Sequence, residues 1–142
     1  MESLGIDHCF SGIYKNKRVL ITGISGFKGS WLALWLKELG ADVVGYSLEP
    51  PTQPSHFNLL QLDVYVHFMN INHHEKLLSV FEAFRPNIVF HMAAQPLVRY
   101  SYENPIETFE TNVIGTLKVF EACRAINEKE IKNFPRVKCN EK

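Results

Sequence analysis

Glycines stand at 23, 26 and 29, evenly spaced between a short apolar run and an amphipathic one. The run before them, Arg18-Val19-Leu20-Ile21-Thr22, is apolar and β-branched, the pattern of a strand buried on both faces of a parallel sheet. The run after them, Ser30 to Leu39, reads as a helix. Leu32, Leu34, Trp35, Leu36 and Leu39 give it a wide apolar face, and Gly40 sits where a helix-ending glycine belongs. Asp42-Val43-Val44-Gly45-Tyr46 follows as a second strand, so this stretch is one βαβ unit. Glycine lets the backbone turn sharply and lets a pyrophosphate approach closely, while the helix behind it offers free N–H groups and a positive dipole end. Thr22, Gly23, Gly26, Phe27, Lys28 and Gly29 are therefore candidate phosphate-binding residues, with Lys28 adding a cation at the mouth. No Gly-Lys-Ser/Thr closes the turn, so it is not a nucleoside-triphosphate loop. The competing reading is a tight strand-to-helix turn that binds nothing.

The rest of the chain continues the alternation. Pro50, Pro51 and Pro54 mark a loop, and a short strand is expected around Val66 to Ile71. Glu75 to Phe84 has helical spacing at Leu77, Leu78, Phe81 and Phe84, and Pro86 stops it. Ile88-Val89-Phe90-His91 is a short buried strand, Pro96 breaks the chain, and Pro105 to about Ile126 reads as one long helix. Strands alternating with helices imply an α/β, doubly wound parallel sheet covered on both faces. Three segments follow: a leader at 1–17, a nucleotide-binding portion at 18–127, and a polar tail at 128–142 that reads as a poor strand or frayed end. In the leader, Phe10, Ile13 and Tyr14 can pack on a neighbouring element.

Composition bounds the partners. The 142 residues carry 15 Lys+Arg against 15 Asp+Glu, and a formal net charge of zero argues against nucleic acid or an anionic membrane as the main partner. No apolar run is long enough for a membrane span and the N-terminus does not read as a secretory signal. Three cysteines (Cys9, Cys123, Cys139), odd in number and far apart, argue for a reducing cytoplasm rather than a disulfide framework. His73-His74 carries no metal-ligand pattern, because adjacent side chains point apart. The end of the second strand separates NAD from NADP: an acidic residue holds the ribose hydroxyls, an arginine the 2′-phosphate. Glu49 is acidic and no arginine is near, which favours NAD; the alternative is a solvated loop carboxylate.

Three segments together carry a family resemblance. They are Thr22 to Leu32 with its Gly-Phe-Lys-Gly-Ser-Trp run; Phe90-His91-Met92-Ala93-Ala94-Gln95-Pro96-Leu97-Val98-Arg99; and Ser101-Tyr102-Glu103 to Pro105 with Thr111-Asn112-Val113-Ile114-Gly115-Thr116. Over about residues 13 to 127 the chain resembles the N-terminal part of extended short-chain dehydrogenase/reductases, the NAD-dependent epimerase/dehydratase family. It is most similar to the subfamily of CDP-glucose 4,6-dehydratases. The resemblance implies a Rossmann-type sheet and an NAD-dependent lyase. Its bound NAD takes a hydride from C4 of the sugar, water leaves across C5 and C6, and the hydride returns at C6. By the same resemblance the glycine turn holds the pyrophosphate, and Ala93, Ala94 and Gln95 line the ribose and nicotinamide side. Arg99 lies near the substrate mouth, and Asn112 supports the catalytic lysine through a water. Plain close packing for Ala93-Ala94 and a surface charge for Arg99 remain the competing readings. The 105–126 helix matches one that packs between subunits, which implies a possible homodimer.

The chain departs from the family in ways that bear on activity. The family base is the tyrosine of a Tyr-x-x-x-Lys pair, whose spacing puts both side chains on one helix face. Tyr14, Tyr46, Tyr65, Tyr100 and Tyr102 are followed four residues on by Arg18, Pro50, Met69, Asn104 and Ile106. Pro135, Arg136 and Val137 stand where the family has Thr, Ser and Asp, so the dehydration acid is missing as well. Asn70 stands where the family has an adenine-contacting aspartate and loses its charge. The sugar-nucleotide domain comes later in the family chain and is expected to be absent here. The expectation is an incomplete sheet: the NAD-binding portion of a sugar-nucleotide 4,6-dehydratase, truncated and inactive alone. The alternatives are a non-catalytic dinucleotide-binding module or subunit, and, disfavoured by the Gln95 to Arg99 run, an epimerase or reductase.

Overall fold

The computed structural model describes residues 6–133, and side chains within 9–128. Four parallel strands form its sheet in the order β3-β2-β1-β4. They are β1 (Arg18–Thr22), β2 (Asp42–Ser47), β3 (Tyr65–Phe68) and β4 (Ile88–His91). The central strand alternates: Leu20 faces one side, Val19 and Ile21 the other, and all three are fully buried. Helix α1 (Phe27–Glu38) covers the Val19 and Ile21 side through Ala33 and Leu36. Helix α3 (His74–Phe84) and helix α6 (Gly115–Asn133) cover the Leu20 side through Leu77, Val80, Phe81, Val119 and Ala122. The doubly wound α/β reading therefore holds, and the two buried clusters lie on opposite sheet faces.

The register aligns the C-terminal strand ends. Thr22 pairs with Tyr46 and His91, and Tyr46 with His67, so these four residues form one row across the sheet. Loops leaving this edge build the candidate site.

Several elements differ from the sequence reading. Helix α1 begins at Phe27, not Ser30, so Gly29 lies inside its first turn. Strand β3 runs from Tyr65 to Phe68 and stops short of Ile71. Two short helices were not foreseen, α2 (His56–Leu60) and α4 (Val98–Glu103), because five or six residues carry too little periodicity. The Ser55 cap was the available signal for α2; its hydroxyl accepts from the Asn58 N–H at 3.1 Å. The long helix is interrupted: α5 (Pro105–Phe109) passes into a π-helical turn (Glu110–Ile114) and then into α6. The tail reading is corrected in part. Residues 128–133 continue α6, since Glu and Lys there are good helix formers. Pro135, Arg136, Val137 and Cys139 lie outside the described residues.

In the leader, Phe10 and Tyr14 meet neighbouring rings, whereas Ile13 is exposed. Phe10 meets Trp35 of α1 edge-on, with ring centroids 5.3 Å apart, and Tyr14 lies 6.5 Å from Phe90. Among the described residues no helix is long and apolar enough to cross a membrane, and no cluster of three or more potential metal ligands occurs.

Candidate nucleotide site

The turn between β1 and α1 is shaped by steric demand. Gly23 has φ +75°, a left-handed conformation, and a Cβ there would lie 2.7 Å from the Ala93 nitrogen. A Cβ on Gly29 would lie 2.2 Å from the Gly23 carbonyl oxygen. Gly26 differs: its φ is −72°, and the nearest atom to an added Cβ is the Gly23 oxygen at 3.3 Å. The first two glycine demands are internal to the fold, and the third opens outward. Gly26 is also the cap of α1, and no side chain caps that terminus or places a carboxylate in its first turn. The first-turn N–H groups thus lack a side-chain acceptor, which is the condition for holding an anion. Lys28 and Phe27 are exposed at this end. The Phe27 ring sits 5.2 Å from His56, whose Nδ1 lies 2.7 Å from the Ser30 hydroxyl.

The turn is pinned on both sides. Ser25 donates from its hydroxyl to the Leu48 carbonyl at 2.7 Å and lies 2.7 Å from the Ser47 hydroxyl, which ties the turn to the end of β2. On the other side the Thr22 hydroxyl accepts from the N–H groups of Met92 and Ala93, at 3.1 and 3.2 Å. This brings Gly23 and the Ala93 loop together.

Asn112 sits in the π-helical turn, a feature often found at functional sites. Its Oδ1 accepts from the Gln95 N–H at 2.8 Å, and its Nδ2 donates to the Gln95 carbonyl at 3.0 Å. The amide thus replaces a strand neighbour for one residue and holds the loop after β4. Gln95 spends its own side chain on the same loop and on α5, accepting from the Leu97 N–H at 2.6 Å and donating to the Thr108 hydroxyl at 3.2 Å. Replacing Asn112 with Ala strands both Gln95 groups and is expected to cost about 1–3 kcal/mol. Denaturant unfolding of the variant checks this; a smaller loss means that water replaces the amide fully.

The remaining predicted residues are less engaged. Glu49 is exposed two residues beyond the end of β2. Ala94 is exposed on the loop after β4. Arg99 is at the surface of α4, paired with Glu103 at 3.2 Å. Asn70 turns its Oδ1 to the Asn72 N–H at 2.9 Å. Its carbonyl accepts from the Tyr46 hydroxyl at 3.2 Å, and burial pushes that phenol up to about 12. Sequence reasoning missed Ser25, Ser47, His91 and Thr116. Their partners lie on other elements, so only the strand register reveals them.

Burial lowers the pKa of His91 and, less deeply in the fold, of His67. Both groups titrate below their unfolded value, so the unfolded chain binds more protons in the gap. Stability is then full above about pH 6.5 and falls as pH drops through the folded pKa values. Denaturant unfolding across that interval checks the direction; stability that rises on acidification contradicts it.

A parallel sheet whose glycine turn opens an uncapped helix, with a second loop closing beside it, is the geometry of a dinucleotide-binding α/β fold. Comparison with known proteins narrows this. Residues 20–137 match the family model described as GDP-mannose 4,6 dehydratase, and the chain belongs to that epimerase/dehydratase family. It is 50% identical over 129 residues to CDP-glucose 4,6-dehydratase of Salmonella typhimurium, covering 89% of this chain and 36% of that protein. It is 33% identical over 118 residues to UDP-glucose 4-epimerase of Mycoplasma genitalium, covering 82% of this chain and 34% of that one. Among solved structures, the epimerase Mth375 of Methanothermobacter thermautotrophicus superposes with a TM-score of 0.76 at 30% identity, covering 89% of this chain and 37% of that one. The UDP-glucose 4-epimerase of Thermus thermophilus, solved in complex with NAD, gives 0.68 at 33% identity, covering 78% of this chain and 34% of that one. The chain therefore spans about a third of the length of the relatives it matches.

Proposed function

We propose that the chain is the NAD-binding portion of a sugar-nucleotide 4,6-dehydratase that acts on CDP-glucose. The observation that carries this reading is the outward-opening Gly26 at an uncapped helix terminus, in a turn whose Gly23 packs against the Met92–Ala93 backbone. The 50% identity to the Salmonella CDP-glucose enzyme supports the choice of sugar nucleotide. The pyrophosphate lies over Gly23, Gly26 and Gly29, with Thr22, Phe27 and Lys28 around it. Glu49 takes the adenosine ribose and favours NAD over NADP, and Asn70 flanks the adenine. Ala93, Ala94 and Gln95 border the ribose and nicotinamide, Asn112 fixes that loop, and Arg99 serves the substrate side. NAD supplies hydride transfer when bound; this chain's residues bind and orient it.

The sequence carries no Tyr-x-x-x-Lys pair, so the chain alone is expected to bind nucleotide without turnover. That same fact favours a second reading, a non-catalytic dinucleotide-binding module or subunit. Calorimetric titration with NAD and NADP tests the binding: affinity in the high-micromolar range, with NAD preferred, supports the reading, and no heat with either sinks it. Turnover of CDP-glucose restored by a polypeptide supplying the tyrosine and lysine supports the dehydratase; NAD binding with no such rescue supports the module. Phe109, Val113, Leu117 and Phe120 are exposed along one helical run, which supports a homodimer through this face. Sedimentation of the chain as a monomer at high concentration would contradict that.

A further inference from the structure

We propose that His91 is a positioning residue, held in one neutral tautomer, that joins the glycine turn, the Ala93–Gln95 loop and Asn112 into a single unit. Its ring bridges two hydroxyls: Nδ1 lies 2.7 Å from the Thr22 oxygen, and Nε2 lies 2.9 Å from the Thr116 oxygen. Each hydroxyl independently dictates where the ring proton sits. Thr116 donates its one hydrogen to the Asn112 carbonyl at 2.7 Å, so toward His91 it can only accept. Nε2 must therefore carry the proton. The Thr22 hydroxyl accepts from the Ala93 N–H and shares the Met92 N–H with the Thr22 carbonyl, which lies 3.0 Å from that nitrogen, so toward His91 it is left to donate. Nδ1 must therefore be bare. The two ends agree on one tautomer, and the chain of bonds runs without a break from the residue before Gly23 to Asn112 and, through it, to Gln95.

A proton added at Nδ1 would face a hydroxyl with no acceptor left. The groups that meet the ring, Thr22 from β1 and Thr116 from α6, are uncharged, so nothing there compensates a positive ring. Burial is the one cause of the lowered pKa of His91, in keeping with that. The consequence for affinity rests on the NAD reading above; the tautomer and the linkage do not.

Nitrogen NMR of the His91 ring in the full chain tests the tautomer. The expected result is a neutral ring with its proton on Nε2, retained from about pH 7.5 to below the ordinary histidine midpoint of about 6.5. A proton on Nδ1, or a charged ring at about pH 6.5, overturns the proposal. His91→Phe keeps the shape and removes both bonds. It is expected to move the backbone amide signals of Gly23 and Gln95 together and to weaken NAD about tenfold or more, a loss near 1.4 kcal/mol. Unmoved Gly23 and Gln95 signals overturn the linkage. Should His91→Phe fail to fold, Thr116→Val cuts only the Asn112 side: Gln95 is expected to move while Gly23 stays, and the reverse overturns the linkage. If the wild-type chain binds no NAD, the nucleotide reading fails, and the ring tautomer and amide signals still decide the role of His91.

Discussion

Gly26→Val is expected to abolish NAD binding, a loss of at least about 100-fold or ~2.7 kcal/mol, while lowering the thermal midpoint far less than a change at Gly23 or Gly29. The three glycines of the turn are not equivalent. Gly23 has a positive φ and its missing Cβ makes room for the Met92–Ala93 backbone. Gly29 lets the first turn of α1 sit on the Gly23 carbonyl, where an added Cβ would come within 2.2 Å of the oxygen. Changing either disturbs the fold, and any lost binding then says little. Gly26 has φ −72° and ψ 163°, which any residue adopts, and only one atom lies near its missing Cβ. Valine methyls there project over the first-turn N–H groups, where a pyrophosphate must lie. Titration calorimetry beside a thermal melt separates the two effects. Wild-type affinity in the variant would show that the turn is structural only. A large fall in the midpoint would show that the space over Gly26 is already spoken for.

Much of this arrangement can be read from residue order because it depends on local period. Val19, Leu20 and Ile21 are all apolar, and only a strand covered on both faces accepts such a run. The four strands and the helices at α1, α3 and α6 follow from the same reasoning. What escaped has a common cause. The π-helical turn at Glu110–Ile114 has no distinct hydrophobic spacing, so it merged with its α-helical neighbours. His91 reads as the last residue of a strand; its meaning comes from Thr22, sixty-nine residues earlier, and Thr116, twenty-five later. Asn112 enters through the family resemblance, yet its partners, both backbone groups of Gln95, depend on the path of the loop after β4. Glu49 shows the opposite limit: its place after β2 was foreseen, but an exposed carboxylate shows its role only with ligand present.

Phe81→Ala is expected to cost about 3–5 kcal/mol, a large share of the roughly 5–15 kcal/mol that holds an ordinary domain together. Phe81 is fully buried in the cluster where α3 and α6 meet the sheet, with Leu20, Tyr46, Val119 and Ala122 around it. Its removal leaves a cavity beneath α6 that flanking side chains cannot close without moving the helix. That helix carries the site. Gly115 at its start lies so close to Ile71 that an added Cβ would come within 2.7 Å of a methyl carbon. Thr116 and Asn112 on either side of Gly115 hold His91 and Gln95. A shift of α6 therefore reaches the nucleotide loop, and Phe81→Ala should weaken NAD as well as the fold. Phe84→Ala provides the contrast, because Phe84 only borders the cluster and is partly exposed. Urea unfolding followed by circular dichroism measures both. A loss below about 1 kcal/mol for Phe81→Ala would mean that α6 is held by something other than this packing. A full loss of stability with unchanged NAD affinity in the folded fraction would mean that Asn112 keeps its place independently of α3.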